Sequence, residues 1–229
     1  MLECEGINTF YGPAHILFDL SIRVADGQMV CLLGRNGVGK STTLKSIMGL
    51  APVTSGQIRF DGTEIAGWPS YKVARSGIGY VPEERRIFAE LSVEDNLEVA
   101  ERGGSPWNRE AVYQLFPPLL EFRHRNGGHL SGGQQQMLAI ARTLVGNPRL
   151  LLIDEPTEGL SPIVVRTLED MIRNLKAKGQ TMLLAAQDIK FSLSVADYIY
   201  VMDRGRIVYE ADRNKAQAEM AEIRQLMSV

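Results

Sequence analysis

Long apolar runs are missing from this chain. No stretch of about 18 consecutive apolar residues occurs, and Met1-Leu2-Glu3-Cys4-Glu5 has neither the basic nor the apolar part of a secretory leader. The expectation is a chain made and kept in the cytosol, with any membrane role reached through a partner. Cysteine is nearly absent as well. Cys4 and Cys31 are the only two, and neither has a His or Cys at metal-ligand spacing. A disulfide or zinc framework is therefore excluded, and buried, incidental thiols are expected. There is no excess of either charge: 25 Lys and Arg stand against 27 Asp and Glu, a net of −2. That removes the basic surplus expected if nucleic acid were a main partner. Internal repeats and low-complexity segments are absent too.

With 229 residues, 45% of them hydrophobic, the chain can bury a full core as one domain. Its most informative stretch is Gly34-Arg35-Asn36-Gly37-Val38-Gly39-Lys40-Ser41-Thr42, in which two glycines with four residues between them are followed by Lys and Ser. Before it lies the strand-like run Gln28 to Leu33; after it, Lys40 to Leu50 places Leu44, Ile47 and Met48 on one helical face. Strand, glycine loop and helix form the order that cradles a phosphate. Gly34, Gly37 and Gly39 are expected to take backbone angles closed to other residues, so that N–H groups turn toward an anion at a helix N-terminus. Lys40 would face the β- and γ-phosphates, and the Ser41 hydroxyl would ligate Mg²⁺.

Leu2 to Thr9 and Ile16 to Val24 read as strands, joined through Phe10-Tyr11-Gly12-Pro13. Tyr11 is either turn packing or a stacking platform for a nucleobase. Ser55 to Gly62 reads as a strand closing on an Asp-Gly turn, which predicts a small antiparallel layer. Gly77 to Val81 is a buried strand stopped by Pro82. From Glu83 the character changes: Ser92-Val93-Glu94-Asp95 opens a helix, residues 102–106 break it, and Asn108 to His124 is helical around Pro117-Pro118. The chain thus divides into a core (1–83 and 149–229) and an inserted helical subdomain (84–148).

Leu130-Ser131-Gly132-Gly133-Gln134 opens another helix. It is either an ordinary Ser cap or a second phosphate device, whose glycines and hydroxyl present donors to an anion. Arg149 to Ile153 is apolar without alternation, as in a central parallel strand, and ends in Asp154-Glu155-Pro156. Asp154 would hold Mg²⁺, and Glu155 would polarise the attacking water. Ser161-Pro162 starts a helix that stops at Gly179; the strand Gln180 to Ala186, a short helix from Gln187 to Ala196, the strand Tyr198 to Met202 and a hairpin through Gly205 follow. Asn214 to Met227 reads as a single amphipathic C-terminal helix. The alternation predicts a three-layer α/β core with a largely parallel sheet.

These motifs together resemble the ATP-binding-cassette ATPases over nearly the whole chain. Gly34 to Thr42 is similar to the Walker A loop, Leu150 to Asp154 to Walker B, Leu130 to Gln134 to the signature and Tyr11 to the adenine-stacking aromatic. The resemblance implies a RecA-like P-loop NTPase fold, ATP and Mg²⁺ as ligand and cofactor, and Glu155 as the catalytic base. Val81-Pro82-Glu83 with Arg85-Arg86-Ile87-Phe88, and Glu155 to Pro162, resemble the ATPases of branched-chain amino acid and urea or amide importers. Glu83 stands where Gln usually contacts Mg²⁺ and the attacking water, Pro162 where Asp is usual, and Gln187 where His usually touches the γ-phosphate. A carboxylate at Glu83 needs a nearby cation, for which Mg²⁺, Arg85 or Arg86 would serve. The resemblance further implies head-to-tail pairing with a second ATP-binding subunit, each signature serving the other chain's ATP. That second subunit is expected to be a distinct paralogue, with a homodimer as the alternative. Separate transmembrane permease subunits and, indirectly, an external solute-binding protein complete the implied machine at the cytoplasmic face of the inner membrane. Branched-chain amino acids lead as solutes, with urea and short amides beside them. A non-transport cassette ATPase or a small-molecule P-loop kinase is the rival; the first usually has two cassettes or coiled-coil insertions, and the second does not account for Leu130 to Gln134.

Overall fold

The computed structural model describes residues 1–102 and 106–227. Strands β1 (Leu2–Tyr11) and β2 (Ala14–Val24) form a hairpin around Gly12-Pro13, and β3 (Met29–Leu33) leads into the glycine loop and helix α1 (Lys40–Ile47). Next come β4 (Val53–Phe60), which turns through Asp61-Gly62 into β5 (Thr63–Glu64), α2 (Ser70–Arg75) and β6 (Ile78–Val81). Between β6 and β7 (Leu150–Asp154) the named elements among the described residues are helical: α3 (Val93–Glu98), α4 (Arg109–Leu115), α5 (Pro117–Glu121), a 3₁₀ turn and α6 (Gly132–Val145). The breaker expected at 102–106 lies partly outside the described residues. The chain then alternates through α7 (Pro162–Ala177), β8 (Thr181–Ala186), α8 (Ile189–Val195), β9 (Tyr198–Asp203) and β10 (Arg206–Asp212), ending in α9 (Arg213–Ala218) and α10 (Met220–Leu226).

Two sheets result. β2-β1-β4-β5 is antiparallel, and β10-β9-β3-β8-β7-β6 is parallel except for the β9–β10 hairpin. The expected lack of alternation in the central strands has a direct counterpart in packing. Cys31, Leu151, Ile153 and Leu184 face a core made with α6, α7 and α8, while Val30, Leu32, Leu152 and Leu183 face a second core made with α1 and the antiparallel sheet. Both faces of β3, β7 and β8 are buried, as a parallel sheet between layers requires. The two cysteines are free and buried, and burial pushes the Cys31 thiol up to about 12. The chain leaves β3 through α1 toward the β6 edge on one face and returns through β7 and β8 to β9 with α6, α7 and α8 on the other, so the carboxyl end of β3 opens at the switch point where α/β sheets hold ligands.

The single C-terminal helix expected over Asn214 to Met227 is two helices. Glu219 leaves helical geometry at φ −97° and ψ 21°, where its carboxylate accepts a 2.7 Å hydrogen bond from the Tyr209 hydroxyl on β10. The bend lets Ala216 and Ile223 both reach the core. Tyr209→Phe should cost about 1 kcal/mol and speed amide exchange in α9 and α10; unchanged exchange would leave apolar packing as the cause of the break.

Candidate functional site

The glycine loop is held from below before any side-chain chemistry begins. Gly34 donates its N–H to Ala186 O at the end of β8 (3.3 Å). Contrary to expectation, Gly34 is not at positive φ; it is needed for close approach, since a Cβ there would lie 2.6 Å from Met202 O and 2.7 Å from Val38 Cγ2. Gly39 meets the expectation, at φ +114°, and Gly37 does so at +82°. Gly39 caps α1 with backbone alone, leaving the first turn's donors facing the cavity.

Lys40 is 4% exposed and donates to Gly34 O (2.8 Å) and Arg35 O (2.9 Å). Its Nζ also stands 2.8 Å from Glu155 Oε1. That oxygen has no well-aligned hydrogen bond, so the contact is a Coulombic one. Glu155 is 7% exposed and sits at φ +43°, a costly conformation for a residue with a side chain. Its N–H, bonded to Ala185 O (3.0 Å), extends the β8 ladder and holds it there. Burial raises the Glu155 carboxyl above its ordinary range; Lys40 opposes, while Asp154 and Glu158 add to the rise.

Asp154, 1% exposed, ends β7 and accepts from Ser41 Oγ (3.0 Å) and from the Tyr80 hydroxyl (3.1 Å). Burial raises its pKa as well, and the Ser41 and Tyr80 hydrogen bonds pull it back. The reading from sequence missed Tyr80. The available signal was an aromatic with a polar tip near the end of β6, the strand next to β7. Ser41 and Asp154 therefore present hard oxygen donors side by side, a set suited to a hard divalent cation completed by phosphate oxygens and water.

A cavity of about 340 Å³ opens over these groups. The loop and the first turn of α1 wall one side, Glu83, Glu155 and Glu158 the other, and Ile16 of β2 forms part of the edge. Glu158, three residues beyond Glu155 in the following turn, was also missed. Loss of water and the carboxylates Glu158, Asp154 and Glu84 raise the Glu83 pKa. Its opposing cation is Lys45 on α1, not the expected arginines. Arg86 pairs with Glu84 (3.5 Å), and Arg85 donates to Gln136 Oε1 (3.2 Å) and covers Gly132.

Leu130 to Gln134 do not line this cavity. Ser131 caps α6 in a reciprocal box with Gln134, and buried Gly133 leaves room for Val164 of α7. Tyr11 is 44% exposed at the end of β1, outside the cavity lining. Gln187 is exposed, one residue before the Asp188 cap of α8, so it lies outside the helix expected for it, and it too is absent from the lining. A second cavity, of about 430 Å³, includes Trp107, Arg149 and Lys178. Its Arg149 is already paired with Asp61, and Lys178 sits over Trp107. The buried carboxylates and the phosphate loop belong to the first.

Residues 17–158 match the protein family described as ABC transporter. The chain is 41% identical over 212 residues to the high-affinity branched-chain amino acid transport ATP-binding protein BraG of Pseudomonas aeruginosa, covering 91% of each chain. It is 37% identical over 220 residues to the probable branched-chain amino acid transport ATP-binding protein LivF of Archaeoglobus fulgidus, covering 94% of this chain and 93% of that one. Among solved structures, the ADP conformation of an ATP-binding cassette of an ABC transporter superposes with a TM-score of 0.84 at 27% identity, over 99% of this chain and 97% of that one.

The Asp154 environment gives a signed prediction. Tyr80→Phe removes a hydrogen bond that lowers the Asp154 pKa, so the folded-state value rises further. A raised carboxyl contributes stability at low pH that is lost as pH climbs through the folded pKa. The variant's deficit should therefore widen as the pH rises above the ordinary carboxylate range of about 4, reaching about 1–3 kcal/mol in urea unfolding. A deficit independent of pH would contradict this role for Tyr80.

Proposed function

The chain belongs to the ABC transporter family of ATPases, and from that premise we propose that it is the ATP-hydrolysing subunit of a branched-chain amino acid importer, acting through separate membrane-spanning subunits. The observation that carries the hydrolytic assignment is the convergence of Lys40 on Glu155 (2.8 Å) and Ser41 on Asp154 (3.0 Å) where β3 and β7 end beside the loop. The solute is inferred from the names of BraG and LivF.

On this reading the phosphates of ATP lie against the loop N–H groups and take Lys40 from Glu155. Ser41 and Asp154 would hold Mg²⁺, with Glu83 nearby; when bound, the ion neutralises charge between the β- and γ-phosphates. Glu155, freed from Lys40 and raised by burial, accepts the proton of the attacking water. Gln187 would donate from its amide to the γ-phosphate without the positive charge of a histidine.

Ser131, Gly132 and Gly133 serve a second chain's ATP, in keeping with their place outside this chain's cavity. Ile163, 76% exposed just after Ser161-Pro162, is an apolar side chain that such pairing would cover. Gln187 favours a distinct paralogue as that partner, and a homodimer is the alternative. A groove of about 660 Å³ between the core and α6 has exposed Leu50, Tyr71 and Val99 along it, and it suits an apolar segment of a permease subunit. No helix among the described residues is long and apolar enough to cross a membrane.

Three outcomes test these assignments. Glu155→Gln should retain ATP binding while hydrolysis falls about 10²-fold or more; normal turnover with partners present would remove Glu155 from the base role. Lys40→Ala should weaken ATP binding itself, read by calorimetry, and equal affinity would contradict the loop assignment. Ser131→Arg should leave ATP binding to the isolated chain but abolish pairing and hydrolysis; loss of monomer binding would contradict the shared-site arrangement.

A further inference from the structure

The β9–β10 turn touches both the glycine loop and β2, although none of its residues lines the cavity. Arg204 and Gly205 are both left-handed, at φ +43° and +79°, as a tight two-residue hairpin turn requires. Gly205 then spends both halves of its backbone outside the hairpin. Its N–H donates to Val38 O in the phosphate loop (2.9 Å), and its carbonyl accepts from Phe18 N on β2 (2.9 Å). Met202, on the strand before the turn, abuts the loop at Gly34 and Gly39.

On the β2 side the contact continues as a column of rings. The Arg206 guanidinium lies 5.1 Å from the Phe18 ring centre, Phe18 packs at 3.7 Å on His15, and His15 stacks at 3.9 Å on Phe10. Phe10 precedes Tyr11, and the same stretch of β2 carries Ile16 at the edge of the cavity. The column thus runs from the turn to the hairpin end that bears the exposed aromatic.

We infer that Gly205 is a positioning residue: its peptide unit fixes the gap between the phosphate loop and the base-side hairpin, so that the turn gauges the length of a nucleotide. This rests on the proposed nucleotide site with Tyr11 at its base end. Gly205 acts through β2 and the loop and touches neither phosphate nor base. The direction of a perturbation follows from the geometry. A Cβ at Gly205 would fall on the Ile16 carbonyl oxygen and 2.7 Å from Phe18 Cδ2, both on β2, whereas no loop atom is among its nearest neighbours. Gly205→Ala should therefore push the base side and spare the phosphate side.

The test measures affinity of the full chain for ATP and for inorganic tripolyphosphate, each with Mg²⁺, alongside thermal unfolding. In Gly205→Ala, ATP affinity should fall about tenfold, the scale of one lost base stack, while tripolyphosphate affinity stays within about twofold. Arg206→Gln removes the exposed cation from the column without straining the turn; it should lower ATP affinity about threefold and leave tripolyphosphate unmoved. It carries the test alone if Gly205→Ala does not fold. A general loss of stability would weaken both ligands together, so the ratio of the two affinities is the deciding quantity. Equal loss for both ligands, or an unchanged ratio in both variants, overturns the gauge while the nucleotide site stands. A wild-type chain that binds neither ligand overturns both.

Discussion

A buried lysine against two buried carboxylates is the constraint on which the rest of the structure depends. Lys40, Asp154 and Glu155 are each less than a tenth exposed, and ions so far from water persist only when their neighbours replace it. The replacements are local: two loop carbonyls for Lys40, two hydroxyls for Asp154, and Lys40 itself for Glu155. Burial still wins for both acids, whose carboxyls remain raised. The cluster is thus short of positive charge. A polyphosphate alone would add its full negative charge to it, whereas a divalent cation bound with the polyphosphate would offset two of those charges. On the proposed function, the electrostatics of the site therefore favour a metal–nucleotide complex over the bare nucleotide.

The fold keeps this arrangement in place through backbone rather than side chains. Glu155 stays left-handed because its N–H extends the β8 ladder, Gly34 is tied to the end of the same strand, and Gly205 is bonded to Val38. Two strand ends, those of β8 and β9, thus grip the loop and the acids, each with both sheet faces sealed by a core. Such a frame tolerates exchange of Lys40 between partners without moving the carboxylates. The Leu130 to Gln134 segment, by contrast, is fastened to a different part of the chain, through Val164 on α7 and Arg85 in the loop after β6. A shift at Glu83 would therefore reach Gly132 within two residues.

Much of this was legible in the sequence, for reasons particular residues make clear. The strand Leu150 to Asp154 announced its burial by lacking polar alternation, and Gly34 to Ser41 gave the loop by spacing. What was not legible depends on neighbours brought together by the fold. Tyr80 reads as a strand aromatic until β6 and β7 pair, and Lys45 reads as a surface cation on α1 until Glu83 lies across from it. Gly34 looked like a residue needing unusual angles, but its requirement is the nearness of Met202, 168 positions later. The break at Glu219 depends on a tertiary hydrogen bond that no helical periodicity encodes.

The most direct measurement is a structure of the chain, with its partners, bound to Mg²⁺ and a slowly hydrolysed ATP analogue. The account predicts that Lys40 Nζ leaves its 2.8 Å contact with Glu155 for phosphate oxygens, that Ser41 and Asp154 gather about the metal, and that Glu155 faces a water in line with the γ-phosphate. A nucleotide bound elsewhere, or a Lys40 still paired with Glu155 while the phosphates occupy the loop, would contradict it.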